Sequence, residues 1–180
     1  RNALVTLAVA VGVVWVLDRY DLALGRRSYA SGYLIWSVVM ALAILAGIAA
    51  QFAATAETAT ALGRDVTTTV VNFFSFFTIL SNVSAAVVLL WAAIWWWTKG
   101  RKDAAGEPRG LAIALICSST YMIVTGIVYN ALLRGIQLPQ GSEPIPWSNE
   151  TLHLVGPVFL LLDVFLGPLR RRLPWRAILA

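Results

Sequence analysis

The chain carries a single histidine, His153, in the run "TLHLVGPVFLLLD". Two other apolar runs hold further side chains able to hydrogen-bond or exchange protons. Thr78 and Asn82 lie in "NFFSFFTILSN", and Tyr129 and Asn130 in "TGIVYNALL". An imidazole is suited to taking and giving a proton near neutral pH. Glu150 stands one turn before His153, placed to hold its ring. Pro157 has no N–H, so the His153 carbonyl four residues earlier loses its helical partner. A kink and a free acceptor are thereby expected beside the only imidazole. Cys117 is the only cysteine, which excludes an internal disulfide and a cysteine metal cluster. One histidine likewise excludes a histidine-rich metal site and haem held by two histidines. No metal or cofactor is expected.

Spacing groups these residues further. Ser75, Thr78 and Asn82 follow an i, i+3, i+7 pattern and share one face of a continuous helix. Ser118, Tyr121, Thr125 and Tyr129 form a second stripe. In lipid such stripes face another helix or a cavity, because hydrocarbon offers no partner. Each member also has a plainer reading. A threonine commonly bonds back to a carbonyl one turn earlier, an asparagine holds helices together, and a histidine near the interface meets water. Asp163, deep in its segment, is a functional candidate by default, or is neutralised by a neighbouring helix or by Arg170. Cys117 reads as a small buried hydrophobe. Asn149-Glu150-Thr151 fits the glycosylation tripeptide.

The elements that must position these groups are membrane helices. Of 180 residues, 59% are hydrophobic and 13% charged, and the mean hydropathy is +0.75. A soluble fold of this length has no interior large enough for that much apolar surface. The expected fold is all-α, a polytopic transmembrane helix bundle forming one domain over residues 1–180. Five spans are expected at about 3–17, 31–54, 69–97, 110–134 and 151–168. Residues 66–98 are uncharged throughout and read as one long tilted helix. The chain begins at Arg1 and ends on "PWRAILA", which resembles the start of another apolar segment, so the sequence reads as a fragment truncated at its C-terminus.

The basic residues between and after the spans number three, one, four, one and four in order along the chain. That alternation is what the positive-inside rule produces. Loops 18–29, 98–109 and 169–180 are expected in the cytoplasm and the N-terminus outside, in a multi-pass cell-membrane protein. Trp95, Trp96 and Trp97 then sit at the cytoplasmic interface. Thr78 lies about 13 Å in from the outer end of its span by helical rise. Thr78, Asn82, Tyr129, Asn130 and His153 thus all fall in the outer half of the membrane. The net charge of +5 lies in loops and speaks to topology and lipid headgroups. No basic stretch interleaved with aromatics is present to read nucleic acid.

The strings "FFSFFTILSN", "TGIVYNALL" and "WSNETLHLVGPVFLLLD" together resemble a family of bacterial six-helix integral membrane proteins. These are distant relatives of the androgen-induced and ADTRP-like membrane hydrolases of animals. The resemblance covers residues from about 30 to 180, with the family's last two helices missing and segment 3–17 outside its pattern. It implies a threonine hydrolase acting on fatty acid esters of hydroxy fatty acids. Thr78 of "FFT" matches the nucleophile position and His153 of "LHLVGP" the histidine. Around Thr78 the sequence departs from the animal motif. A threonine hydroxyl needs a base within hydrogen-bond reach. An oxyanion donor is also required, for which Asn82, Asn130 and Tyr129 are candidates. The partners implied are membrane lipids or fatty acyl esters. A lipid-binding or transport protein without catalysis, and a structural subunit whose polar stripes only join helices, are the alternatives.

Overall fold

A computed structural model describes residues 26–100, 106–136 and 144–167. The expected first span at 3–17, the loop residues Arg19, Arg101 and Lys102, and Arg170, Arg171, Arg172 and Arg176 lie outside the described residues.

Helix α1 runs over Arg26–Ala61, 36 residues, or about 54 Å at the α-helical rise. A bilayer core is about 30 Å thick, so α1 is long enough to project beyond it. A turn through Gly63, whose φ of 62° suits glycine, leads into α2, Val66–Ser75. Asp65 caps α2 by accepting the Thr68 N–H at 2.6 Å. That bond holds the exposed Asp65 carboxyl below its usual range. Then follow α3 (Phe77–Trp95), α4 (Arg109–Val128), α5 (Pro146–Glu150) and α6 (Gly156–Leu166). π-helical turns close α3 at Trp96–Gly100 and α4 at Tyr129–Leu133, and a third, Thr151–Val155, joins α5 to α6. No strand occurs among the described residues.

Four stretches are long and apolar enough to cross a membrane: Ala30–Ala61, Phe77–Gly100, Arg109–Leu133 and Pro146–Leu166. They run up, down, up and down, with α1 packed on α3, α3 on α4, α4 on α6, and α5 with its π turn against α1. The result is the expected all-α bundle. Its polarity suits an integral membrane protein. Trp36, Leu42, Leu80, Ile94, Ile127 and Phe165 face outward, while Ser37, Ser81, Asn82, Ser118 and Asp163 are buried. Hydrocarbon welcomes the first set and gives the second no partner, so the polar groups turn inward. Ala41, Ala85 and Ala86 are fully buried with Ile44, Leu89 and Met122. Small residues there let the helix backbones approach.

The single helix expected over 69–97 is two helices. Phe76 takes extended angles, φ −67° and ψ 131°, and interrupts the ladder inside "NFFSFFTILSN". Neither proline nor glycine marks the break. Tertiary packing accounts for it: α2 folds back along the projecting end of α1, where Phe52, Phe73 and Phe74 pack with ring centroids 5.2–5.6 Å apart. The break separates Ser75 from Thr78 and Asn82. Ser75 is exposed on α2 and bonds back to the Val71 carbonyl at 2.7 Å, so the three residues do not form one stripe. Cys117, expected to be buried, is exposed on the outer face of α4.

Candidate functional site

The end of the bundle formed by the start of α3, the end of α4 and the α5–α6 junction gathers all six candidate residues. The junction is where the backbone is least regular. Gly156 gives its N–H to the Thr151 carbonyl in π register rather than to Leu152. Pro157 has no N–H to offer the next turn. The carbonyls of Leu152 and His153 are therefore short of backbone donors. Two asparagines from two other helices supply them. Asn82 Nδ2 donates to the Leu152 carbonyl at 3.1 Å and to the Thr78 carbonyl at 2.8 Å. Asn130 Nδ2 donates to the His153 carbonyl at 2.8 Å and to the Gly126 carbonyl at 2.8 Å. Each amide has two N–H groups, and both are used. Expected as oxyanion donors, Asn82 and Asn130 have none left to give; Asn82 keeps only a buried, unpartnered Oδ1.

Close backbone approach makes these reaches possible. A Cβ on Gly126 would lie 2.8 Å from the Pro157 Cβ, so α4 and α6 meet there with no room for a side chain. On the other side, Ser148 donates to the Gly47 carbonyl at 2.8 Å, and the Ile145 N–H reaches Gln51 Oε1 at 3.1 Å. These bonds seat α5 on α1.

The His153 ring is held by the backbone, not by Glu150. Its Nδ1 lies 3.0 Å from the Asn149 carbonyl oxygen. A carbonyl only accepts, so Nδ1 carries the hydrogen and Nε2 of the neutral ring keeps its lone pair. The Tyr129 ring stacks on the imidazole at 3.7 Å between centroids and 24° between planes. Glu150 is instead gripped by Arg134, with Nη1 to Oε1 at 2.8 Å and Nη2 to Oε2 at 3.1 Å. The Arg134 Nε donates to Asn130 Oδ1 at 2.9 Å. Its guanidinium carbon lies 5.8 Å from the centre of the Tyr129 ring. The hydrogen bonds that Arg134 donates to Glu150, and secondarily the carboxylate charge, raise the Arg134 pKa above its ordinary value.

Thr78 is half-buried in the first turn of α3. Its carbonyl accepts from Asn82 and, at 3.0 Å, from Ser81. Its hydroxyl makes no hydrogen bond among the described residues, to His153 or to any other group. The break at Phe76 has a second effect here. No side chain caps α3, and no turn bridges Phe76, so the N–H groups of Phe77 and Thr78 are left without partners among the described residues. A nucleophile-type side chain thus sits at the positive end of a helix dipole beside two open backbone donors.

Other polar residues join helices. Ser81 meets Thr125 at 2.8 Å and Ser84 meets Ser118 at 2.6 Å, two hydroxyl pairs between α3 and α4. Because Ser81 already donates to the Thr78 carbonyl, Thr125 is the donor of the first pair. Of the stripe expected on α4, Ser118 and Thr125 face α3, while Tyr121 is exposed against Phe77. At the opposite end of the bundle Asp163 is buried and accepts a short hydrogen bond from Tyr33 of α1, well away from His153. Arg134, Tyr33 and Ser81 were not expected in these roles. The i, i+4 spacing of Asn130 and Arg134 is the one sequence signal that points to the first of them.

No family model, curated protein or solved structure matches this chain.

Proposed function

We propose that this integral membrane protein hydrolyses fatty acyl esters, with Thr78 as nucleophile and His153 as its base. The observation that carries the reading is what remains once the helix-joining bonds are set aside. Asn82, Asn130, Ser81, Ser84, Ser118, Thr125 and Ser148 all have interhelical partners. The Thr78 hydroxyl, the Tyr129 hydroxyl and His153 Nε2 have none among the described residues, and all three lie at one end of the bundle. Pure helix joining gives no reason for the group with a preset tautomer, the histidine, to be left with an open lone pair there. The sequence resemblance to threonine hydrolases supports the same two residues.

In this reading Thr78 Oγ1 attacks the ester carbonyl and His153 Nε2 takes the hydroxyl proton. The developing oxyanion is received by the open N–H groups of Phe77 and Thr78, with the Tyr129 hydroxyl as a further donor. The proton passes from Nε2 to the leaving alkoxide, and water repeats the sequence to release the acid. Asn82 joins the two halves, since one amide nitrogen holds the carbonyl of Thr78 and that of Leu152, next to His153. The site lies on the outer side of the membrane by the charge alternation of the loops, so the substrate is a long-chain ester entering from the outer leaflet. Purified protein treated with a fluorophosphonate probe should be labelled on Thr78. Labelling that persists in Thr78→Val, or wild-type protein inert toward every long-chain ester tried, overturns the assignment.

A further inference from the structure

Resting on that reading, we propose that Arg134 is the positioning residue of the site, holding the His153 imidazole in place from one guanidinium by two separate routes. The first route is through hydrogen bonds. Arg134 Nε donates to Asn130 Oδ1 at 2.9 Å, and Asn130 Nδ2 donates to the His153 carbonyl at 2.8 Å. The arginine thereby fixes which way the Asn130 amide faces, and the amide fixes the π turn that carries the histidine. The second route is through the rings. The guanidinium lies 5.8 Å from the Tyr129 ring, and Tyr129 stacks on His153 at 3.7 Å. Tyr129 is held with a cation near it and the imidazole against it. Glu150 anchors the arrangement by taking both terminal nitrogens of Arg134 in a two-point fork, which sets the guanidinium plane.

A surface ion pair would account for the fork alone. It would not account for the third bond to Asn130, or for the Asn130 amide ending on the carbonyl of the catalytic candidate. The side chains of Arg134 and Glu150 are 39% and 32% exposed, so the pair itself adds little to stability. Its consequence is geometric. Lysine cannot reproduce it, because an ammonium has no planar fork and no Nε donor.

His153 is the only histidine, so histidine labelled with 15N in the ring gives one pair of nitrogen signals for the whole chain. In detergent-solubilised wild type the signals should report hydrogen on Nδ1 and none on Nε2. The carbon-bound ring protons should be shifted upfield by Tyr129, a shift that Tyr129→Leu removes. Arg134→Lys should collapse that upfield shift and broaden the signals. Its kcat for a long-chain ester should fall on the order of 10²-fold with KM changed less than about twofold, as expected when a reacting group is misplaced rather than substrate binding lost. The double variant Arg134→Gln/Glu150→Gln leaves no unpaired carboxylate and serves where a single variant folds poorly; it should behave like Arg134→Lys. Wild-type ring shifts in folded Arg134→Lys, or their return in the double variant, overturn the proposal. If no variant and no wild-type sample hydrolyses esters, the hydrolase reading falls, while the ring signals still decide whether Arg134 positions His153.

Discussion

Asn130 gives the His153 carbonyl, at 2.8 Å, a hydrogen bond that Pro157 cannot give. Asn82, from α3, supplies the Leu152 carbonyl, whose usual donor, the Gly156 N–H, goes to Thr151. The π turn before Pro157 is therefore not an open acceptor waiting for a ligand; it is a seam closed by two amides. Leaving a buried carbonyl unpaired costs about 1–3 kcal/mol, and interhelical bonds in membranes measure nearer the low end. Asn82→Ala and Asn130→Ala should each lower stability by about 1–2 kcal/mol in reversible unfolding from detergent. In a Pro157→Ala background, where an N–H is restored, Asn130→Ala should cost measurably less. An equal cost in both backgrounds would show that the asparagine and the proline are unrelated.

Gly126 and Gly47 should respond oppositely to alanine. A helical Gly→Ala change gains roughly 1 kcal/mol from propensity alone. At Gly47 the new Cβ would meet Leu152 and Ser148 at 3.4–3.5 Å, ordinary contact, so the gain should survive. At Gly126 it would meet the Pro157 ring at 2.8 and 3.2 Å, and that ring cannot rotate aside. Overpacking of this kind costs about 1–3 kcal/mol, which exceeds the gain. Thermal unfolding should place Gly47→Ala at or above wild type and Gly126→Ala below it. Tolerance of Gly126→Ala would mean that α4 and α6 are not in contact at this point.

The helices among the described residues were legible because lipid imposes a crude rule, about 20 apolar residues without charge. The convergence of Thr78, Asn82, Tyr129, Asn130 and His153 at one end followed from chain direction alone. Their partners did not. Which carbonyl Asn82 reaches depends on the rotation of α3 about its axis, and hydropathy carries no information on rotation. The break at Phe76 was hidden for a related reason. Every residue from Phe73 to Phe77 is equally at home in a helix, and only the packing of Phe73 and Phe74 on Phe52 decides otherwise. Glu150 was assigned to His153 by sequence distance, whereas Arg134 offered it a better-matched fork. Asp163 was readable as a buried acid but not as the partner of Tyr33, 130 residues away.

The orientation proposed from the loop charges is open to direct measurement. With Cys117→Ser in place, a single cysteine near Gly141 should react with a membrane-impermeant thiol reagent added outside intact cells. A cysteine near Ala105 should react only after the membrane is opened. The reverse pattern would put Thr78 and His153 on the cytoplasmic side and redirect the substrate to the inner leaflet.

Thr78 and Ser81 separate catalysis from packing within one turn of helix. The Ser81 hydroxyl bonds to the Thr78 carbonyl and to Thr125, so Ser81→Ala should cost about 1 kcal/mol of stability and leave kcat, measured on folded protein, within a few-fold of wild type. The Thr78 hydroxyl has no such partners, so Thr78→Val, which keeps the branched shape, should change stability by less than about 0.5 kcal/mol. Its hydrolysis of long-chain esters should nevertheless be abolished. His153→Gln should abolish it equally, and the double variant should be hardly worse than either single one, because nucleophile and base are each useless without the other. If the two losses instead multiplied, the residues would be acting independently and the shared proton transfer would be wrong. Full activity in a stably folded Thr78→Val protein would remove Thr78 from the chemistry altogether and leave its open hydroxyl as a feature of the α3 start alone.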